Sequence, residues 1–337
     1  TTAAYKKTNF IDRIVNAQYS IWELGDKVTK LTREKFQQTK LYDFFRENVY
    51  RAREAENIGI AEVSRDAQTN AQRIFNTTKQ SELNNVFRVM SKEKVNLGTF
   101  KNSEGVEVTL EFTKGQIIKK YQELLDPTLD NTFAKGMHWT QEMKDAVIKS
   151  LSPQEKAWAD YQMKWYQSYY DSVNKIYREL YAVDLPHNYN YSPISRDFVI
   201  DIPEDQLVYQ DLARYASTLN GSLKSRITNI RPLKPTDANA TFLNHISQME
   251  HFKAWTEPMR NLRSVFADSN VRGAILQYHG NDILRQIDVN LNRIASGGID
   301  KTHVFRAFDT LRANFSTAVI GLKPYQMLQQ LPTVFAP

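Results

Sequence analysis

A chain of 337 residues is long enough for two domains or one extended body of several parts. Hydrophobic residues at 41% and aromatic residues at 12% argue against a disordered chain, and the absence of cysteine excludes disulfides, thiolate metal sites and a cysteine nucleophile. The formal charge of +6 is spread over 44 basic and 38 acidic residues, a balance that permits contact with nucleic acid or anionic lipid without demanding it.

Phe10, Ile14, Ala17, Ile21, Leu24, Val28 and Leu31 recur at helical spacing and predict a first helix over 10–31. From Lys40 to about Val95 the chain has helical propensity with a single internal glycine, Gly59, and a break expected between Asn76 and Ser81. Its apolar stripe runs Leu41, Phe45, Val49, Ala52, Val63, Ala67, Ala71, Phe75, Val86, Met90. The middle is thin and alanine-rich, which suits close packing of helix on helix.

Asn96 to Phe112 changes period. Val106, Val108, Leu110 and Phe112 alternate with polar residues, and Asn102-Ser103-Glu104-Gly105 supplies a turn, so one β-hairpin is expected near 97–112. Thr113 caps a short helix over 114–125, closed by Asp126-Pro127, and Thr140 opens another through Leu151.

Ser152, Pro153 and Glu155 then spell a capped helix start. Trp158, Tyr161, Trp165, Tyr169, Val173, Ile176 and Leu180 predict one long, aromatic-faced helix. It ends in an irregular strap, LPHNYNYSPISR, from Leu185 to Arg196, where Pro186 and Pro193 disfavour helix.

Phe198–Ile202 is expected as a short strand, 205–219 as a helix, and 222–235 as a basic linker. Asp237 caps a long helix to about Phe266, with a kink expected at Pro258. A further helix covers 270–295 with a break near Gly280, another runs from Asp300 to Gly321, and a short amphipathic piece follows over 325–331. No apolar run reaches the roughly 18 residues of a membrane span. The chain starts Thr1-Thr2 and stops on the apolar string Leu331–Pro337, which reads as a segment of a longer polypeptide.

The fold class expected is mainly α, an elongated multi-helix bundle with one small β-hairpin. Its regions are 1–95 (a long-helix hairpin), 96–202 (hairpin, aromatic helix and strap) and 203–337 (C-terminal helices).

Candidate chemistry is sparse. His245 and His251 share a helix with Glu250, but at about 100° per residue their rings point about 120° apart, a poor spacing for one metal. They read as ordinary helical polar residues, as does His279 beside Gly280. Glu54, Glu56, Glu62 and Asp66 among Arg51, Arg53 and Arg65 read as a solvated face. No GxSxG, GxxxxGK[ST] or GxGxxG occurs, so no catalytic residue, metal or cofactor is assigned. Lys224, Arg226, Arg231 and Lys234 in the basic linker are the candidate nucleic-acid contacts. They lack interleaved aromatics for base stacking, and a solvated loop is the simpler account. Ala318 to Phe335 is amphipathic and suits a membrane surface, another subunit or the rest of the polypeptide.

Three stretches carry a resemblance. They are Gly105–Leu110 leading into Thr113-Lys114-Gly115-Gln116; Leu151–Glu155 with the aromatic helix and Tyr189–Arg196; and Met249–Trp255 followed by Val271–Ile275. The closing Ala313-Asn314-Phe315, Leu322-Lys323-Pro324 and Gln329-Gln330-Leu331 extend it. In this order they resemble the helical regions of very large tailed-bacteriophage virion proteins, which include internal, ejected or cargo proteins and the large polyvalent proteins. The resemblance spans about Phe10 to Leu331 and transfers no catalytic residue. It implies a non-enzymatic helical segment, packaged in the capsid or portal and delivered into the host envelope or cytoplasm with the genome. The partners implied are the portal, other virion proteins and further copies of the cargo, with DNA and a transient membrane contact as additional candidates. The competing readings are an accessory nucleic-acid-holding domain of a virion RNA polymerase or similar enzyme, and a channel component of the host envelope.

Overall fold

The computed structural model describes residues 40–185, 187–194 and 232–295. Over those residues the chain is mainly helical with one two-stranded antiparallel sheet, as the periodicities predict. The helices, in chain order, are α1 (Lys40–Phe45), α2 (Arg51–Ile74), α3 (Gln80–Lys92), α4 (Lys114–Leu124), α5 (Gln141–Ser150), α6 (Pro153–Ser168), α7 (Tyr170–Tyr181), α8 (Ala238–Ala267), α9 (Ser269–His279) and α10 (Asn281–Ala295). The strands are β1 (Lys94–Lys101) and β2 (Glu107–Thr113). The elements expected over 10–31, 198–202, 205–219, 300–321 and 325–331 lie outside the described residues.

The described residues form two compact units, one from 40–58 and 250–295, the other from 59–185, 187–194 and 232–249. In the first, Phe45, Val49 and Ala52 bury against Trp255, Met259 and Leu262 and against the stripe Leu284, Ile287, Leu291, Ile294 of α10. That stripe steps by three and four residues, the spacing that puts side chains on one helical face. Between α1 and α2 the helix widens into a π turn at Arg46–Tyr50, where buried Asn48 donates to the Phe44 carbonyl at 2.9 Å and accepts from Asn261 at 2.9 Å. α9 and α10 meet at Gly280, whose φ of 81° lies in the left-handed region that favours glycine. Arg272 ties the pair with two bonds to the Asp288 carboxylate, at 3.0 and 3.1 Å. α8 continues through Pro258, which removes one backbone donor without ending the helix.

In the second unit the expected break falls where Asn76 takes a φ of 52° and α2 gives way to α3. Ala67 and Ala71 are buried as the stripe requires, but Val63 is only half-buried, with Ala61 buried beside it, and α3 buries Leu83, Phe87 and Met90 while Val86 is only half-buried. The hairpin pairs Lys94 with Thr113 through Lys101 with Glu107, with a bulge between Asn96 and Gly98. Its turn closes on Asn102, whose side-chain oxygen accepts from the Glu104 and Val106 amides at 2.9 Å each.

Two capping boxes fix helix starts, Thr113 with Gln116 for α4 and Ser152 with Glu155 for α6. The aromatic helix is not one piece. It is interrupted at Tyr169, where the Ser168 and Ser172 hydroxyls donate to the carbonyls of Trp165 and Tyr169 at 2.7 and 3.0 Å and loosen the ladder.

The thin, rod-on-rod packing expected from the alanine stripe is not what centres this unit. Trp158, wholly buried, has the rings of Phe75, Phe87, Tyr161 and Phe242 around it at 5.2–6.1 Å between centroids. The element that touches most of the unit is α4, which packs on α3, α5, α6 and β2. It is a short helix, KGQIIKKYQEL, and it is buried nearly all round, charges included.

Candidate functional site: a buried polar ladder on α4

Gly115, Ile117, Ile118, Lys119, Lys120, Gln122 and Glu123 of α4 are all buried. The start of the helix sits unusually close to a second helix start. Asp237 caps α8 through Oδ1, accepting from the Asn239 and Ala240 amides at 2.9 and 3.0 Å. A Cβ placed on Gly115 would lie 1.9 Å from Asp237 Oδ2, so the carboxylate rests in the space a side chain would fill. One carboxylate thus faces the first turns of both α4 and α8, where unpaired amides and the helix dipole favour negative charge.

From α4 a chain of hydrogen bonds crosses the interior. Lys119 Nζ donates to Ser192 Oγ. Ser192 Oγ donates to Gln122 Oε1 at 3.1 Å, and Gln122 Nε2 donates to Gln162 Oε1 at 2.7 Å. Gln162 Nε2 and Trp158 Nε1 both donate to Asn239 Oδ1, at 3.2 and 2.7 Å. The strap, α4, α6 and α8 are therefore joined by side-chain amides and a hydroxyl, all of them buried. Buried polar groups left unpaired would each cost about 1–3 kcal/mol, so a ladder in which nearly every group is paired, Asn239 Nδ2 excepted, selects one packing arrangement.

The strap lies along α4. Asn188 donates to Asp126 Oδ2 at 3.0 Å, Asn190 donates to the Leu125 carbonyl at 2.7 Å, and Ser192 reaches Gln122. These three residues alternate, which is the two-residue period of an extended segment laying one face on its neighbour.

Two titratable groups flank the ladder. His245 is packed edge-on against Trp165 and Tyr166. Burial, and then the nearby Lys119 charge, push its ring down to about 3, so it is a neutral imidazole wherever histidine ordinarily titrates. Burial, with Tyr191 beside it, raises the Tyr166 phenol well above its ordinary range. One position further along α4, Lys120 and Glu123 form an ion pair of 2.8 Å at 1% and 0% exposure, with Lys120 Nζ 5.8 Å from the Phe133 ring centre. Glu123 Oε1 has no hydrogen-bond partner in this structure.

A serine beside a lysine invites comparison with nucleophile–base pairs, in which the base must accept the hydroxyl proton. Here Ser192 Oγ lies between Lys119 Nζ, taken as a charged donor, and Gln122 Oε1, so the pair ties the strap to α4.

A scan against family models, a search of curated proteins and a search of solved structures each return no match for this chain.

The residues singled out from sequence disperse. Of the basic linker, Lys224, Arg226 and Arg231 lie outside the described residues, while Lys234 is exposed. His245 and His251 fall in different units. Glu56 departs from the solvated face: it accepts from Trp255 Nε1 at 2.7 Å and pairs with His251 Nδ1 at 3.0 Å. Burial opposes its ionisation, but His251, Trp255 and Arg53 together outweigh that and hold the carboxyl below its ordinary value. Glu54, Glu62 and Asp66 are exposed as expected of that face, and Asp66 accepts from the Tyr161 hydroxyl at 2.8 Å. Among the described residues no group of three or more histidine, aspartate or glutamate side chains is placed to hold a metal ion, and no helix is long and apolar enough to cross a membrane. Nothing local in the sequence announces the α4 ladder, because its members come from four separate segments. The alternation Asn188, Asn190, Ser192 was the available signal.

Proposed function

We propose that this chain is a structural, non-enzymatic helical segment of a tailed-phage internal virion protein, carried in the capsid or portal and ejected with the genome. Two lines support the reading. The first is the resemblance carried by the 105–116, 151–196 and 249–275 stretches. The second, which carries it among the structural observations, is the use to which the buried polar groups are put. Lys119, Ser192, Gln122, Gln162 and Asn239 are linked to one another in one run of hydrogen bonds, and the lysine–hydroxyl contact ties the strap to α4.

The test is quantitative mass spectrometry of purified particles of a phage whose genome encodes this chain, before and after ejection is triggered in vitro. The chain is expected at a fixed copy number in filled particles and to be lost from emptied ones. Its absence from filled particles, or its full retention after the genome has left, contradicts the proposal.

A further inference from the structure

His245 of α8 is 3% exposed and walled by rings from two other segments. Trp165 and Tyr166 of α6 stand edge-on to it, with centroids 6.0 and 5.1 Å away, and Tyr191 of the strap lies against it at 5.7 Å. The next strap residue, Ser192, accepts from Lys119 Nζ of α4, which is itself wholly buried. Two adjacent strap residues therefore cover an imidazole and a lysine side chain at once.

The titratable groups that face His245 come from three segments. α6 brings the Tyr166 phenol, the strap brings the Tyr191 phenol, and α4 brings the Lys119 charge. A proton on His245 would put a second cation into the enclosed space that Lys119 already charges. Burial first, and then Lys119, keep the ring neutral down to about 3. An imidazole in water takes its proton at about 6.5. Between those values His245 gains a proton only if water reaches it.

Which wall lets the water in depends on how each is held. α6 and α8 bury Trp158, Trp165, Phe242 and Ile246, whereas of residues 187–194 only Ser192 is buried. The strap is tied by the hydrogen bonds of Asn188, Asn190 and Ser192 to α4 and the residues just after it. Water can replace such bonds, but it cannot replace the apolar contacts that hold the two helices. The strap is the wall that opens at least cost, in the manner of a local rather than a global unfolding.

We propose that residues 187–194 form an acid-released latch: protonation of His245, beside the buried Lys119, lifts Tyr191 and Ser192 away and opens the strap while α4, α6 and α8 stay packed.

The sign follows from proton uptake. Between about 3 and about 6.5 the open form holds one proton more than the closed form, so falling pH favours opening. Hydrogen exchange of the full chain, corrected for the intrinsic rate at each pH, reads this at the strap. The Tyr191 amide donates to the Asn188 carbonyl at 3.2 Å and the Asn190 amide to Asn188 Oδ1 at 3.3 Å, so both are protected while the strap is closed. From pH 7.5 to 5 their opening constant is expected to rise about thirty-fold, the effect of one proton taken up at about 6.5. Peptides from 117–123 and 153–168 are expected to keep their protection. His245→Phe keeps a ring in the aromatic cage and His245→Gln keeps a polar side chain. Either one, once shown to fold by circular dichroism, is expected to abolish the rise. His187→Gln removes the strap's own exposed histidine and is expected to leave the rise intact. Strap protection that does not change between pH 7.5 and 5 overturns the proposal. So does an equal loss in 117–123 and 153–168, a rise that survives in His245→Phe or His245→Gln, or one that vanishes in His187→Gln.

Discussion

Lys120→Met is expected to destabilise the second unit by about 3–5 kcal/mol, the cost of leaving one member of a buried ion pair uncompensated. Glu123 is wholly enclosed, Lys120 is its ion-pair partner at 2.8 Å, and its other oxygen already lacks a hydrogen bond. Methionine matches the length of the lysine stem and keeps the contact with Phe133, so packing changes little. The double variant Lys120→Met/Glu123→Leu removes both charges and is expected to recover most or all of that loss, since replacing a whole buried pair by apolar residues is often neutral or better. Urea denaturation of the full chain, followed by tryptophan fluorescence and far-UV circular dichroism, checks both. A single variant that costs under about 1 kcal/mol would mean that water reaches the pair.

Gly115→Ala is expected to cost about 2–4 kcal/mol, although alanine is the better helix former by about 1 kcal/mol. The new methyl would stand 1.9 Å from Asp237 Oδ2, a distance no Cβ tolerates. Asp237 has a short side chain, and its other oxygen is held by the Asn239 and Ala240 amides. It can yield only by giving up the cap of α8. The control is Asp237→Ser, which keeps a capping oxygen on a smaller side chain. In that background Gly115→Ala is expected to cost markedly less. Equal costs in the two backgrounds, measured as urea midpoints, would show that the two helix starts do not interact.

The local grammar of this fold was legible. Ser152, Pro153 and Glu155 announce α6, Thr113 announces α4, Asp237 announces α8, and the alternation through Leu110 announces the hairpin, because each signal acts within a few residues of its source. What failed was any inference that needed to know the neighbours. The sequence of α4 carries four Lys and Glu side chains in eleven residues, which gives no sign of burial, yet it is enclosed because helices from both sides of it in sequence, and a strand, close over it. Glu56 sits in a run of alternating charges that reads as solvated, and only the fold brings His251 and Trp255 to it. The interruption at Tyr169 was hidden because the aromatic spacing continues across it while the serine hydroxyls act on the backbone.

The function proposed rests on α4 and its ladder being what holds the second unit together. Native-state hydrogen exchange of the full chain, resolved to individual peptides, addresses this most directly. The amides of 117–123 are expected to be among the slowest in 59–194, exchanging only through global opening of that unit and much later than those of the hairpin at 94–113. Exchange of 117–123 at the hairpin's rate, or faster, would show that the buried lysines, glutamine and glutamate are not its centre.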